Sequence, residues 1–148
     1  ELDEKKRELA LKLGASRVVD SVNEDLEAIV SEETDGFGVD RIIMAIGVTS
    51  LVNDTLKLAK KGGTVCLFAG FSKGKTSDID PSIIHYNELN VTGSTAYKRI
   101  DYLQAADMVI NKKIDLDAIV SAEFSLDNFR EALDLHMSGE VLKVLVTN

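Results

Sequence analysis

The sequence predicts an α/β fold, a parallel sheet with flanking helices, and three observations carry that reading. Two nearly unbroken apolar runs, Arg41-Ile42-Ile43-Met44-Ala45-Ile46-Gly47 and Thr64-Val65-Cys66-Leu67-Phe68-Ala69-Gly70, have the character of strands buried on both faces of a parallel sheet. Segments of helical periodicity separate the strand segments, as right-handed crossovers require. Glycine and polar clusters punctuate the joins.

Leu9, Ala10 and Leu13 form a helical stripe that Gly14 can end with a positive φ. Residues 17–20 (Arg-Val-Val-Asp) read as a short strand. Ser21 and Glu24 have capping-box spacing and predict a helix whose Leu26, Ile29 and Val30 face inward. Thr34-Asp35-Gly36-Phe37-Gly38 is a turn, followed by the strand at 41–47. A helix over residues 50–60, stopped by Gly62 and Gly63, leads to the strand at 64–70. A polar loop over 71–80 precedes Pro81, the only proline, and residues 89–94 form a third strand candidate.

The pattern changes after Ser94. A helix spans about 101–112, and Phe124-Ser125-Leu126 introduces another with Phe129, Ala132 and Leu133 inward. Gly139 ends that helix, and residues 141–147 form a closing strand. The reading therefore divides the chain at 95/96, an α/β part over 1–95 and a segment over 96–148 that serves another part of the molecule. No repeat, low-complexity tract or flexible linker interrupts it.

Composition excludes several classes. The 148 residues suffice for one core, and 45% hydrophobic with 28% charged residues is ordinary for a globular protein. A net charge of −8 with scattered Lys and Arg argues against a nucleic-acid partner. No apolar run approaches the ~18 residues of a membrane span. The single Cys66 cannot form a disulfide framework or a multi-cysteine zinc site, and a cytoplasmic location is the default.

The opening residues point to chemistry. An acid followed by an amphipathic turn and Leu13-Gly14-Ala15 is how the second strand of a dinucleotide-binding fold passes into its helix, with the acid on the adenosine ribose. Further carriers are Gly38-Val39-Asp40 leading to Ala45-Ile46-Gly47, and Lys61-Gly62-Gly63-Thr64-Val65 leading to Ala69-Gly70. His85-Tyr86-Asn87-Glu88-Leu89 with Thr92-Gly93-Ser94, and Gly139-Glu140-Val141-Leu142-Lys143-Val144, complete the set. In this order the chain resembles the zinc-containing medium-chain dehydrogenases, the alcohol, sorbitol and threonine dehydrogenase family.

That resemblance implies a partial Rossmann-like sheet lacking its first two strands and the Gly-x-Gly-x-x-Gly turn. With no initiator Met, the chain is expected to be the downstream part of a larger NAD-dependent oxidoreductase acting on a secondary alcohol or polyol. The catalytic zinc ligands are expected on a preceding domain outside this sequence, and the isolated chain is expected to be inactive. A homo-oligomer is expected too, because the absent central strands leave apolar faces and edges to be covered, with residues 89–95 a further contact.

By the same resemblance Glu1 holds the ribose and disfavours the 2′-phosphate of NADP; a solvated terminal glutamate is the alternative. Lys6 lies near that ribose, or is a plain surface lysine. Ala45, Ile46 and Gly47 end one strand where the cofactor approaches, and Ala69, Gly70 and Ser94 hold the nicotinamide carboxamide, against simple strand-end packing. Lys143 contacts the pyrophosphate, against an exposed strand lysine. Cys66 reads as a small core residue, and His85 and His136 have no partner at ligand spacing. Asp78 and Asp80 read as loop and cap residues, with Ser72, Lys73 and Lys75 in a solvated loop.

Two other functions stay open. One is a zinc-free, quinone reductase-like NADPH enzyme, which the acid at position 1 disfavours. The other is a non-catalytic assembly or proteolytic core that would bind no NAD.

Overall fold

A computed structural model describes all of residues 1–148. The chain divides into two compact units, Glu1–Glu4 with Val18–Ala96, and Lys5–Arg17 with Tyr97–Asn148.

The first unit is built on three parallel strands in the order β1 (Val39–Met44), β2 (Ala59–Leu67), β3 (Asn90–Gly93). Helices α3 (Val52–Lys57) and α4 (Pro81–Tyr86) connect them, and α2 (Leu26–Glu33) precedes them. The register aligns Ile42 with Val65 and Val91, and Ile43 with Cys66 and Thr92. Successive side chains alternate faces, so Ile42, Val65 and Val91 share one face and Ile43, Cys66 and Thr92 the other.

The core lies on the first of these faces. Met44, Val52, Leu56, Ala59, Val65 and Leu89 are buried together, and Ile42, Leu67, Phe71, Ile83, Ile84 and Val91 pack around them. Leu56 and Val65 are fully inaccessible. α3 supplies Val52 and Leu56 four residues apart, the spacing that puts both on one helical face.

Several sequence expectations are corrected. Residues 41–47 and 64–70 are not buried on both faces: Ile43 is 69% exposed, Ile46 53% and Phe68 58%. Helices cover only one side of this sheet, and β1 is an edge strand, so alternate residues meet no partner. Cys66 is half-buried on the uncovered face rather than a core residue. Residues 17–20 form no strand and join neither sheet; the Glu1 amino group donates to the Val19 carbonyl at 3.1 Å.

The Ser21–Glu24 capping box does not open a helix. Glu24 accepts from the Asp20 amide at 2.8 Å and Asp20 from the Val22 amide at 3.1 Å, which closes a turn. α2 starts later, with Asp25 as the cap accepting from Ala28 N–H at 3.0 Å. The helix expected over 50–60 is shorter, a 3₁₀ turn at Thr49–Leu51 and then α3. It stops because Val39 N–H takes the Leu58 carbonyl at 2.9 Å and Ala59 already pairs with Val39. The register then jumps from Ala59 to Thr64, and Lys60 to Gly63 bulge out of the ladder.

The second unit holds α1 (Glu4–Lys12, from Lys5 on), α5 (Arg99–Ile110), α6 (Phe129–Ser138) and a parallel pair, β4 (Val120–Ser125) with β5 (Lys143–Thr147). β4 has little signal in the sequence, because its alternation of half-buried Val120, Ala122 and Phe124 is brief. Gly139 ends α6 at φ +76°, a left-handed cap that favours glycine. Phe129 and Leu133 were expected inward but are 52% and 46% exposed, and only Ala132 is buried on α6. Leu13 on α1 is exposed as well. No helix is long and apolar enough to cross a membrane.

Truncating the centre of the core should register directly. Leu56→Ala is expected to destabilise the chain by about 3 kcal/mol, because a fully buried leucine leaves a cavity that its neighbours fill only in part. Urea unfolding followed by circular dichroism checks this, with Ile43→Ala as the comparison expected to change stability by less than about 1 kcal/mol.

Candidate functional site

Parallel strands put all their carboxyl ends on one side, and in open α/β sheets ligands bind outside those ends. In the first unit these ends are tied to one another. The amides of Phe68 and Ala69 both donate to the Met44 carbonyl at 3.1 Å, and the Ser94 amide donates to the Leu67 carbonyl at 3.2 Å. Ala45, Ile46, Gly47, Ala69, Gly70 and Ser94 therefore lie along one rim.

The rim is tight in one place and open in others. A Cβ on Gly47 would collide with the Gly70 carbonyl oxygen, so the two chain segments can meet only because residue 47 is glycine. A Cβ on Gly70 or Gly93 would meet nothing within 4 Å. Ala45, Ile46, Gly70 and Ser94 are exposed, while Gly47 and Ala69 are half-buried. A flat ligand could thus reach backbone groups over Gly70 and Gly93.

The segments leaving the rim are stitched to each other. Ser77 Oγ donates to the Thr49 carbonyl at 2.7 Å, and Asn53 Oδ1 accepts from the Asp80 amide at 3.0 Å. Asn53 Nδ2 also donates to the Asp78 carbonyl. None of these contacts had a sequence signal, since each joins residues at least 25 apart through a main-chain group. Asp80 caps α4 by accepting from the Ser82 amide at 2.9 Å. Hydrogen bonds from Ser82, its hydroxyl first and its amide second, hold the Asp80 carboxyl below its ordinary 3.8.

Glu1 belongs to the same unit. It is exposed, and its Oε1 accepts from the Asp3 amide at 2.9 Å. Lys6 and Lys143 belong to the second unit. Lys6 Nζ donates to the Gly139 carbonyl at 3.3 Å, at the end of α6 where a cation suits the helix dipole. Lys143 is the exposed first residue of β5, opposite Val120.

Other candidates carry less chemistry. At the amino ends of β1 and β2 a polar groove is lined by Thr34, Phe37, Gly38, Lys57, Lys60 and Asn87. Its lysines are engaged: Lys57 pairs with Asp54 at 2.9 Å, and Lys60 with Asp40. The Lys60 ammonium holds the Asp40 carboxyl below its usual range, and Asp54 raises Lys57. The groove also lies at the wrong end of the strands for this architecture. No group of three or more His, Cys, Asp or Glu side chains is assembled that could hold a metal ion. His85 sits edge-on to Tyr86, with ring centres 4.8 Å apart.

Comparison with known proteins bears on this geometry. Residues 1–111 match the family described as zinc-binding dehydrogenase. D-arabitol-phosphate dehydrogenase of Enterococcus avium is 35% identical over 138 residues, covering 93% of this chain and 39% of that protein. Sorbitol dehydrogenase of Halalkalibacterium halodurans is 27% identical over 145 residues, covering 98% and 42%. A Sinorhizobium meliloti 1021 structure described as a zinc-binding dehydrogenase bound to NADP aligns with a TM-score of 0.87 at 31% identity, covering 100% of this chain and 44% of that one. The chain spans about 40% of the length of these curated relatives.

Two outcomes follow from the rim. Gly47→Ala should cost about 1–3 kcal/mol, because backbone must move to admit the methyl group; denaturant unfolding measures the loss, and chemical shifts at Gly70 report the displacement. The Asp80 cap has a depressed pKa when folded, so its contribution is present above the ordinary 3.8 and is lost as pH falls through the lower folded value. An acid titration should release the Ser82 amide in that range, and Asp80→Asn should remove the pH dependence.

Proposed function

The chain belongs to the zinc-binding dehydrogenase family, and from that premise we propose that it is the nicotinamide-nucleotide-binding portion of an oxidoreductase acting on an alcohol or polyol. The observation that carries this reading is the common rim of Gly47, Gly70 and Ser94 at the carboxyl ends of three parallel strands, with open space over Gly70 and Gly93. When bound, the nicotinamide ring supplies hydride acceptance and donation at C4. The chain's own residues orient that ring. Backbone groups at Ala69, Gly70 and Ser94 meet its carboxamide, and Ala45, Ile46 and Gly47 form the adjoining wall.

NAD is the cofactor this reading favours. Glu1 offers a carboxylate to the ribose hydroxyls and would repel a 2′-phosphate. NADP is the second reading, supported by the NADP bound to the Sinorhizobium meliloti relative. Zinc, which the family description implies, finds no ligand set among these residues, and no step of the proposal passes through it.

The division of labour proposed is cofactor binding by residues 1–95 and a service role toward further domains by 96–148. A boundary between units at Ala96 supports it, although Lys5–Arg17 group with the later residues. A catalytic domain elsewhere in the protein, a cytoplasmic setting and a homo-oligomer complete the proposal. The uncovered Ile43 of β1 and Phe68 just past β2 support the last of these.

Titration with NADH, followed by its fluorescence and by amide chemical shifts, tests the reading. Shifts centred on residues 45–47, 69–70 and 94, with others beside Glu1, are the expected result, with NADPH weaker than NADH and the difference narrowed by Glu1→Gln. No binding, or shifts centred on the groove at Lys57 and Lys60, would sink it.

A further inference from the structure

The loop over residues 71–80 follows Gly70, three residues past the end of β2, and is held unevenly. At its start Phe71 packs against the core. At its far end three side-chain bonds fix it to the segment that follows Gly47: Ser77 to the Thr49 carbonyl, and Asn53 to both Asp78 and Asp80. Between these anchors residues 72–76 are exposed and carry one turn bond, from Lys75 N–H to the Ser72 carbonyl at 3.2 Å.

Asn53 is the economical part of this arrangement. Its carboxamide donates with one end and accepts with the other, satisfying a carbonyl and an amide two residues apart in the same loop. Only Asn or Gln offers both functions in one planar group. Aspartate would keep the bond from the Asp80 amide and turn an acceptor toward the Asp78 carbonyl. Asn53 lies six residues after Gly47, so the bonds couple the two chain segments that meet at the rim.

Resting on the nucleotide-binding reading, we propose that Asn53 is a positioning residue. It locks the end of the 71–80 loop, with Ser77 assisting, so that the strand-end rim stays in the shape that receives the nicotinamide end of the cofactor. A loop free at that end would have to be ordered on binding, and its lost freedom would weaken affinity.

The test compares the chain with its Asn53→Ala and Asn53→Asp variants by amide hydrogen exchange and by NADH titration. Exchange at Ile79 and Asp80 should quicken about tenfold and NADH binding weaken by a similar factor, the consequence of losing one or two net hydrogen bonds, with Val65 and Leu67 still protected. Ser77→Ala should shift both readouts in the same direction by less. Unchanged exchange in the loop, or a loosened loop with unchanged NADH affinity, overturns the inference. If Val65 also loses protection in the Asn53 variants, Ser77→Ala, which breaks a single side-chain bond, decides by the same two readouts. If the unaltered chain binds no NADH, the nucleotide-binding reading fails and this positioning role falls with it, while accelerated exchange in the variants would still identify the lock itself.

Discussion

Burial of one face of the central strand β2 is the constraint on which the first unit rests. Val65 is fully inaccessible beneath Val52 and Leu56 of α3, and the ladders on either side tie β1 and β3 to that same strand. Fixing Val65 inward fixes the parity of every residue along the three strands, because a slip by one would turn the whole apolar set outward. The same register brings the strands to an end together. The rim is therefore a consequence of core packing rather than a separately built feature.

The opposite face of that sheet carries Ile43, Cys66 and Thr92 in register, with the exposed Phe68 just past the end of β2. Parallel sheets are ordinarily covered on both faces, and this one is covered on one. β1 also presents an unpaired edge. The chain spans about 40% of the length of its curated relatives. The second unit shows the same economy: a single parallel pair, β4 with β5, joined through α6, with one buried residue on that helix.

At the rim, backbone dominates. Gly47 permits a close approach, Gly70 and Gly93 leave room above the strand ends, and Asn53 and Ser77 fix the neighbouring loop through main-chain carbonyls and amides. On the nucleotide-binding proposal, such a rim orients a cofactor that brings its own chemistry. The pKa shifts at Asp40, Lys57 and Asp80 each come from a neighbouring pair or cap.

By itself the sequence determined the α/β class, the three strand positions of the first sheet, the glycine that ends α6 and the set of small residues at the strand ends. These are local: hydrophobic runs, turn chemistry and φ preferences act over a few residues. Only tertiary structure decided how much of each run is buried, since Ile43 and Val65 look alike in sequence and differ in what lies above them. It also decided that residues 17–20 form no strand, for a strand exists only when another segment supplies its hydrogen-bond partners. The start of α2 at Asp25 rather than Ser21, the early end of α3 and the Asn53 lock have the same origin. Each depends on a backbone group that arrives from elsewhere in the chain or on a competing local turn, and spacing alone carries no record of either.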